Sequence, residues 1–305
     1  MSNERLRGVL RLCGLVLIAL GIRSVLLSLN DAALNPLIWR LHWADVAKGG
    51  LIVSAAYALL IWSTGEIIRG WELRVTALTT LRLWVRSNLA RYVPRWSGLP
   101  TRWIAIAEEE GLPQKYIVGS ALHPPLVWLG TAAAMAAVLL GLYRYGNSRL
   151  YLPFILIGGL AIFVSIFALA GTDVPRRIGL EVGRPEMMRP ADAEHLGLAV
   201  AANVLAWTAA GYGLTLLGQG VLENFRADWM LVTGALAAAT VFGYATLLLP
   251  TGLLVRELVL YALLKRELGA GPALAFALTC RGVLTMIEML LSSFLLLRRP
   301  SRDAA

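Results

Sequence analysis

Charged side chains set inside long apolar stretches are the part of this sequence with chemistry to explain. Arg256 and Glu257 follow the break Pro250-Thr251-Gly252 in LLLPTGLLVRELVLYALLKREL, and Arg281 and Glu288 lie in the apolar run beyond it. A guanidinium presents planar, fork-shaped donors that match phosphate or carboxylate. A carboxylate beside it either holds the arginine in place or meets a cationic group. Neighbouring residues on a helix point about 100° apart, so Arg256 and Glu257 pair poorly with each other. Arg281 and Glu288, roughly two turns apart on one helix face, are their expected partners.

A second concentration of charge lies in Leu78–Gly111, which reads LTTLRLWVRSNLARYVPRWSGLPTRWIAIAEEEG. Arg82, Arg86, Arg91, Arg95 and Arg102 forbid a lipid-facing helix, because each guanidinium is expensive in hydrocarbon. Leu81, Leu83, Trp84, Val85 and Tyr92 are too apolar for a solvated loop. Pro94, Gly98 and Pro100 interrupt any helix in the middle. Two readings stay open: a helix–break–helix that dips into the membrane against protein, or an amphipathic helix lying flat on an anionic leaflet. In the first, Arg86, Asn88, Arg91 and Tyr92 line the same path as Arg102, Arg256 and Arg281.

The two segments resemble each other weakly. Gly252–Arg256 can be laid over Gly98–Arg102, and Gly269 and Arg281 then fall on Gly111 and His123. Repeats whose broken helices meet near the bilayer midplane build the sites of many transporters.

Composition decides what must position these residues. The 305 residues are 58% hydrophobic and only 15% charged, against roughly 25% charged in soluble domains. A soluble sphere of this composition could not cover its apolar surface. A cytosolic enzyme, a disulfide scaffold and a disordered chain are excluded, and a polytopic all-α membrane bundle is implied. The net charge of +9 then reads as topology signal and headgroup attraction rather than nucleic-acid binding. Cys13 and Cys280 have no metal-ligand spacing, and His42, His123 and His195 are too scattered for a cluster. With no phosphate-binding loop, nucleophile elbow or acidic metal pair, neither a cofactor nor a catalytic residue is expected.

A hydrocarbon core of ~30 Å needs about 20 apolar residues per helix. By that ruler the spans are Val9–Leu29, Val46–Ile68, Ile117–Tyr143, Leu152–Gly171, Leu196–Leu222, Trp229–Leu249 and Gly271–Leu297. A further crossing within Pro250–Leu268 would place Arg298, Arg299 and Arg302 in the cytoplasm, so the count is about seven or eight. Residues 1–299 read as a single transmembrane domain, with re-entrant candidates at 78–111 and 247–268 and a polar tail at 300–305. Basic residues concentrate in Arg69–Lys115 and Thr172–His195. Both follow even-numbered spans, which puts the N-terminus in the cytoplasm.

Other polar residues carry plainer expectations. Glu66 is placed at the interface without a role, and Glu108-Glu109-Glu110 is a solvated run at a helix end. His123, beside two prolines, is placed at a helix start near the interface. Asn203, Thr208 and Gln219 are interhelical hydrogen-bond glue, and the Gly/Ala runs mark close helix packing.

At these residues the chain resembles a known family. SNLARYVP (Ser87–Pro94) is similar to the first signature of the lysylphosphatidylglycerol synthase transmembrane-region family, and PTGLLVRE (Pro250–Glu257) to its second. LTCRGVLTMIEML places Arg281 in the last long helix, as in the family. The chain has Arg95 where the family usually has Gly after the first Pro, and His123-Pro124-Pro125 where an acidic residue is common. The resemblance runs from the first helix to Leu297 and implies a stand-alone, flippase-like protein of a bacterial inner membrane. It implies that a phospholipid or polyprenyl-phosphate-linked sugar headgroup crosses through an Arg/Glu-lined crevice. It also leaves a non-catalytic role beside a glycosyltransferase or lipid-modifying enzyme as the alternative. Dimerisation with a second copy stays open.

Overall fold

The computed structural model describes residues 39–89, 99–146, 153, 156–157, 192–245 and 252–297. These residues build eight helices: α1 Trp43–Arg69, α2 Ala77–Leu89, α3 Leu99–Glu109, α4 Gln114–Tyr145, α5 Ala193–Val221, α6 Trp229–Ala245, α7 Gly252–Leu268 and α8 Ala270–Leu297. Trp43–Arg69, His123–Tyr145, Ala193–Val221 and Ala270–Leu295 are long and apolar enough to cross a membrane, and Trp229–Tyr244 is apolar but shorter. This is the make-up of a helical membrane protein, in which helices satisfy their own backbone groups. The expected spans Val9–Leu29 and, almost entirely, Leu152–Gly171 lie outside the described residues, as does the polar tail.

Two of the described helices outrun their apolar stretches by a few residues at both ends. Expected Val46–Ile68 becomes Trp43–Arg69, and expected Ile117–Tyr143 becomes Gln114–Tyr145. The physical reason is that hydropathy marks the hydrocarbon, whereas the hydrogen-bond ladder continues into the polar flank until a cap stops it. Thr76 caps α2 by accepting the Thr79 N–H on its hydroxyl at 3.1 Å, and Asp228 caps α6 by accepting the Met230 N–H at 2.7 Å. Gly111 (φ 77°) follows α3 and Gly269 (φ 84°) separates α7 from α8. Both occupy the left-handed region that glycine adopts without strain. Pro124 and Pro125 sit inside α4, as membrane helices tolerate when neighbours satisfy the freed carbonyls.

The chain divides into two compact units, and α1, α4, α5 and α8 each contribute one part to each. In the unit holding 39–53, 132–146, 207–245 and 252–282, small residues let helices approach. A Cβ on Gly49 would stand 2.5 Å from the Gly213 carbonyl oxygen, and one on Gly213 would stand 2.9 Å from that of Gly49. Gly211 lies against Thr233, and Gly234 lies against Leu140. Ahead of α1 the chain runs extended along the end of α5: Arg40 N–H donates to Val221 O at 2.9 Å and His42 N–H to Gly220 O at 2.7 Å.

The other unit holds 54–89, 99–131, 192–206 and 283–297. Its core joins Ile67, Ile68 and Trp71 from α1 and its turn, Leu83 from α2, Trp103 and Ile106 from α3, and Val127 from α4. The short helices α2 and α3 pack on each other here. The Trp103 indole N–H donates to the buried Ser120 hydroxyl at 2.9 Å, fixing α3 to α4.

Candidate functional site

Glu257 and Arg281 stand equidistant in sequence on either side of Gly269. The turn there folds α7 and the start of α8 back on each other, and Arg281 Nε comes 3.7 Å from Glu257 Oε1. That distance is an ion pair but too long for a hydrogen bond. The Glu257 side chain is 14% exposed and that of Arg281 25%. Glu257 Oε2 is enclosed and, among the described residues, has no hydrogen-bond partner. A carboxylate in such a place costs desolvation that the loose pair only partly repays. Arg256 is half-buried beside it, with its Cα and Cβ close to Gly243 of α6. Cys280, next to Arg281, is a buried free thiol.

Of the two partners expected for Arg256 and Glu257, the structure brings Arg281 to Glu257. Glu288 does other work: it belongs to the second unit and accepts the Tyr57 hydroxyl on Oε1 at 3.1 Å. Tyr57 also meets Trp84 edge-on, with ring centroids 5.4 Å apart. Arg86 donates to Glu109 at 2.5 Å, and its other terminal nitrogen lies 3.7 Å from Glu110. Asn88 donates back to the Trp84 carbonyl at 2.8 Å within its own helix. Arg102 lies in α3, and of it only the backbone is described. Gly252 opens α7. Arg91, Tyr92, Pro94, Gly98 and Pro250 lie outside the described residues.

Two expectations need correction. Glu110 is not a solvated run: its side chain is 12% exposed and takes Arg82 at 3.5 Å as well as Arg86. The acidic end of α3 neutralises the arginines of α2, while Glu109, 60% exposed, fits the expectation better. His123 is not at a helix start but inside α4, 3% exposed and edge-on to Trp71 at 5.0 Å. The prolines did not begin the helix, because packing on α3 and Trp71 carried it through them. Glu66, for which no role was expected, is a buried meeting point of two other side chains. It is 6% exposed, accepts Arg69 Nη2 at 2.6 Å and lies 2.8 Å from His195 Nδ1. The signal for it was the Glu66/Arg69 spacing, three residues apart at a span end.

Asn203 does join helices: its amide donates to Ser63 Oγ at 2.5 Å and to the Ala199 carbonyl at 2.8 Å. Gln219 is exposed. Among the described residues no three His, Cys, Asp or Glu side chains are placed to hold a metal ion.

What the arrangement around Glu257 can do chemically is exchange partners. The Glu257 carboxylate, with one oxygen unpartnered among the described residues, can accept a further donor beside the Arg281 guanidinium. Comparison of the chain with family models, curated proteins and solved structures finds no match.

Proposed function

We propose that the chain binds the polar end of a membrane lipid at Arg256, Glu257 and Arg281 and carries it across the bilayer, as its resemblance to the lysylphosphatidylglycerol synthase transmembrane-region family suggests. The observation that carries this reading is the Glu257 Oε2 atom, enclosed without a hydrogen-bond partner among the described residues, on a carboxylate whose other oxygen lies 3.7 Å from Arg281 Nε. Ionisable groups are kept at membrane depth at a cost, and an under-satisfied one marks a place for a polar ligand. The arginines would take the phosphate, while Glu257 holds them or meets a donor on the headgroup. The acyl or prenyl chains stay in the lipid.

Two further parts of the reading rest on pattern. A short helix, a glycine with positive φ and a long helix recur in order as α3, Gly111, α4 and as α7, Gly269, α8. This supports an internal repeat with two broken hairpins. Adding Val9–Leu29 and Leu152–Gly171 to the described spans gives seven crossings, or eight if α7 also spans. The basic connectors put the N-terminus in the cytoplasm of a cell whose inner membrane holds the protein.

The test is reconstitution of the full chain into vesicles carrying headgroup-labelled phospholipid or polyprenyl-phosphate-linked sugar. Transbilayer movement is expected, reduced about tenfold or more by Glu257→Gln or Arg281→Gln, as befits loss of a charge-assisted contact. Movement equal to that of protein-free vesicles overturns the proposal. Co-purification with a glycosyltransferase and no movement alone would replace it with the accessory role.

A further inference from the structure

A separate polar cluster lies in the second unit and takes no part in that reading. Glu66, in the last turn of α1, has both oxygens engaged: Oε1 by Arg69 Nη2 at 2.6 Å and Oε2 by His195 Nδ1 at 2.8 Å. An ionised carboxylate can only accept, so Nδ1 carries the hydrogen. The carboxylate is buried, whereas the Arg69 and His195 side chains are 32% and 33% exposed. Among the described residues Glu66 is the hydrogen-bond partner of both, which leaves the rest of the guanidinium and His195 Nε2 uncommitted. Asp192 N–H donates to Gly70 O at 2.8 Å, lacing the end of α1 to the start of α5. Because α1 and α5 are both membrane-spanning in length, their joined ends fall at the depth of lipid headgroups.

We propose that Arg69 and His195 form a clamp for a phosphate group at that depth, with Glu66 as the positioning residue that fixes both. The chemistry is that of directed donors. Arg69 offers the planar fork that matches phosphate oxygens, and His195 adds a ring nitrogen that donates when protonated. Holding two long side chains on one buried carboxylate removes their rotamer freedom before a ligand arrives, which lowers the entropy cost of binding. Glu72, Asp192 and Glu194 are exposed in the same stretches, so the site is no general basic patch. A diffuse attraction to anions does not explain it; a phosphate seated between two fixed donors does. Position at the ends of two spans favours the phosphodiester of a lipid over free phosphate.

The experiment uses the full chain in detergent, with phosphatidylglycerol retention read by native mass spectrometry. His195→Gln is expected to lower retention several-fold. The double variant Glu66→Gln/Arg69→Gln, which strands no buried charge, is expected to lower it about tenfold, the loss of a charge-assisted contact. Ser63→Ala, in the same helix, is expected to retain lipid as the parent does. Displacement by inorganic phosphate assigns the site to phosphate as such, and failure to displace assigns it to the lipid phosphodiester. In the unsubstituted protein, phosphorus–nitrogen dipolar NMR should place lipid phosphorus beside the His195 ring, a readout that no folding defect can imitate. Absence of that contact, or retention unchanged in the double variant, overturns the proposal. Glu257→Gln moves neither readout, so this inference and the translocation reading fail separately.

Discussion

Tyr57 of α1 donates its hydroxyl to Oε1 of Glu288 in α8 at 3.1 Å, and both residues are less than a tenth exposed. The same tyrosine ring abuts Trp84 of α2 edge-on, so one side chain joins three helices. Tyr57→Phe keeps the ring and removes one bond to a carboxylate, and should cost about 1.5–3 kcal/mol. Tyr57→Ala should cost more by losing the ring as well. Unfolding of the purified protein in detergent would measure both, and a Tyr57→Phe variant as stable as the parent would show that the hydroxyl contributes nothing.

Gly49 and Gly50 are adjacent and should behave oppositely. A Cβ at Gly49 meets the Gly213 carbonyl oxygen at 2.5 Å and the Leu217 nitrogen at 3.0 Å, whereas one at Gly50 meets nothing within 4 Å. Gly49→Ala must push backbone against backbone, and overpacking of that kind costs about 1–3 kcal/mol. Gly50→Ala should be neutral or stabilising by about 0.5–1 kcal/mol, from helix propensity. Thermal stability of the two variants side by side is the check.

At the end of α3 the two ion-paired glutamates should also separate. Glu110, 12% exposed, faces both Arg82 and Arg86, while Glu109 is 60% exposed and among the described residues pairs with Arg86. Glu109→Gln should change stability by no more than about 1 kcal/mol, the ordinary worth of an exposed pair. Glu110→Gln should cost more, because two arginines lose their shared counter-charge. Added salt should narrow the effect of Glu109→Gln more than that of Glu110→Gln, since buried pairs are screened less.

The large apolar side chains left exposed should face lipid. Leu51, Leu205 and Leu290 are 72%, 59% and 63% exposed. Single cysteines placed there, in a chain from which Cys13 and Cys280 have been removed, should react with a lipid-soluble maleimide and not with a membrane-impermeant one. Aqueous labelling of all three would remove the membrane assignment of α1, α5 and α8.

Sequence alone determined which stretches are apolar enough to span, because hydropathy and helix length are summed over neighbours along one strand of chain. It also singled out Glu257 and Arg281, since a charge inside such a stretch has few ways to be tolerated. Which charges met was decided by tertiary structure. Glu288 looked equivalent to Arg281 as a partner for Arg256 and Glu257, yet packing gave it to Tyr57. Glu66, set at a span end, became the buried hub of Arg69 and His195, a contact across 129 residues that no local spacing could announce. The physical reason is one of range. Helix formation and membrane preference are local properties, whereas a side-chain partner depends on where two helices touch, which no stretch of sequence carries by itself.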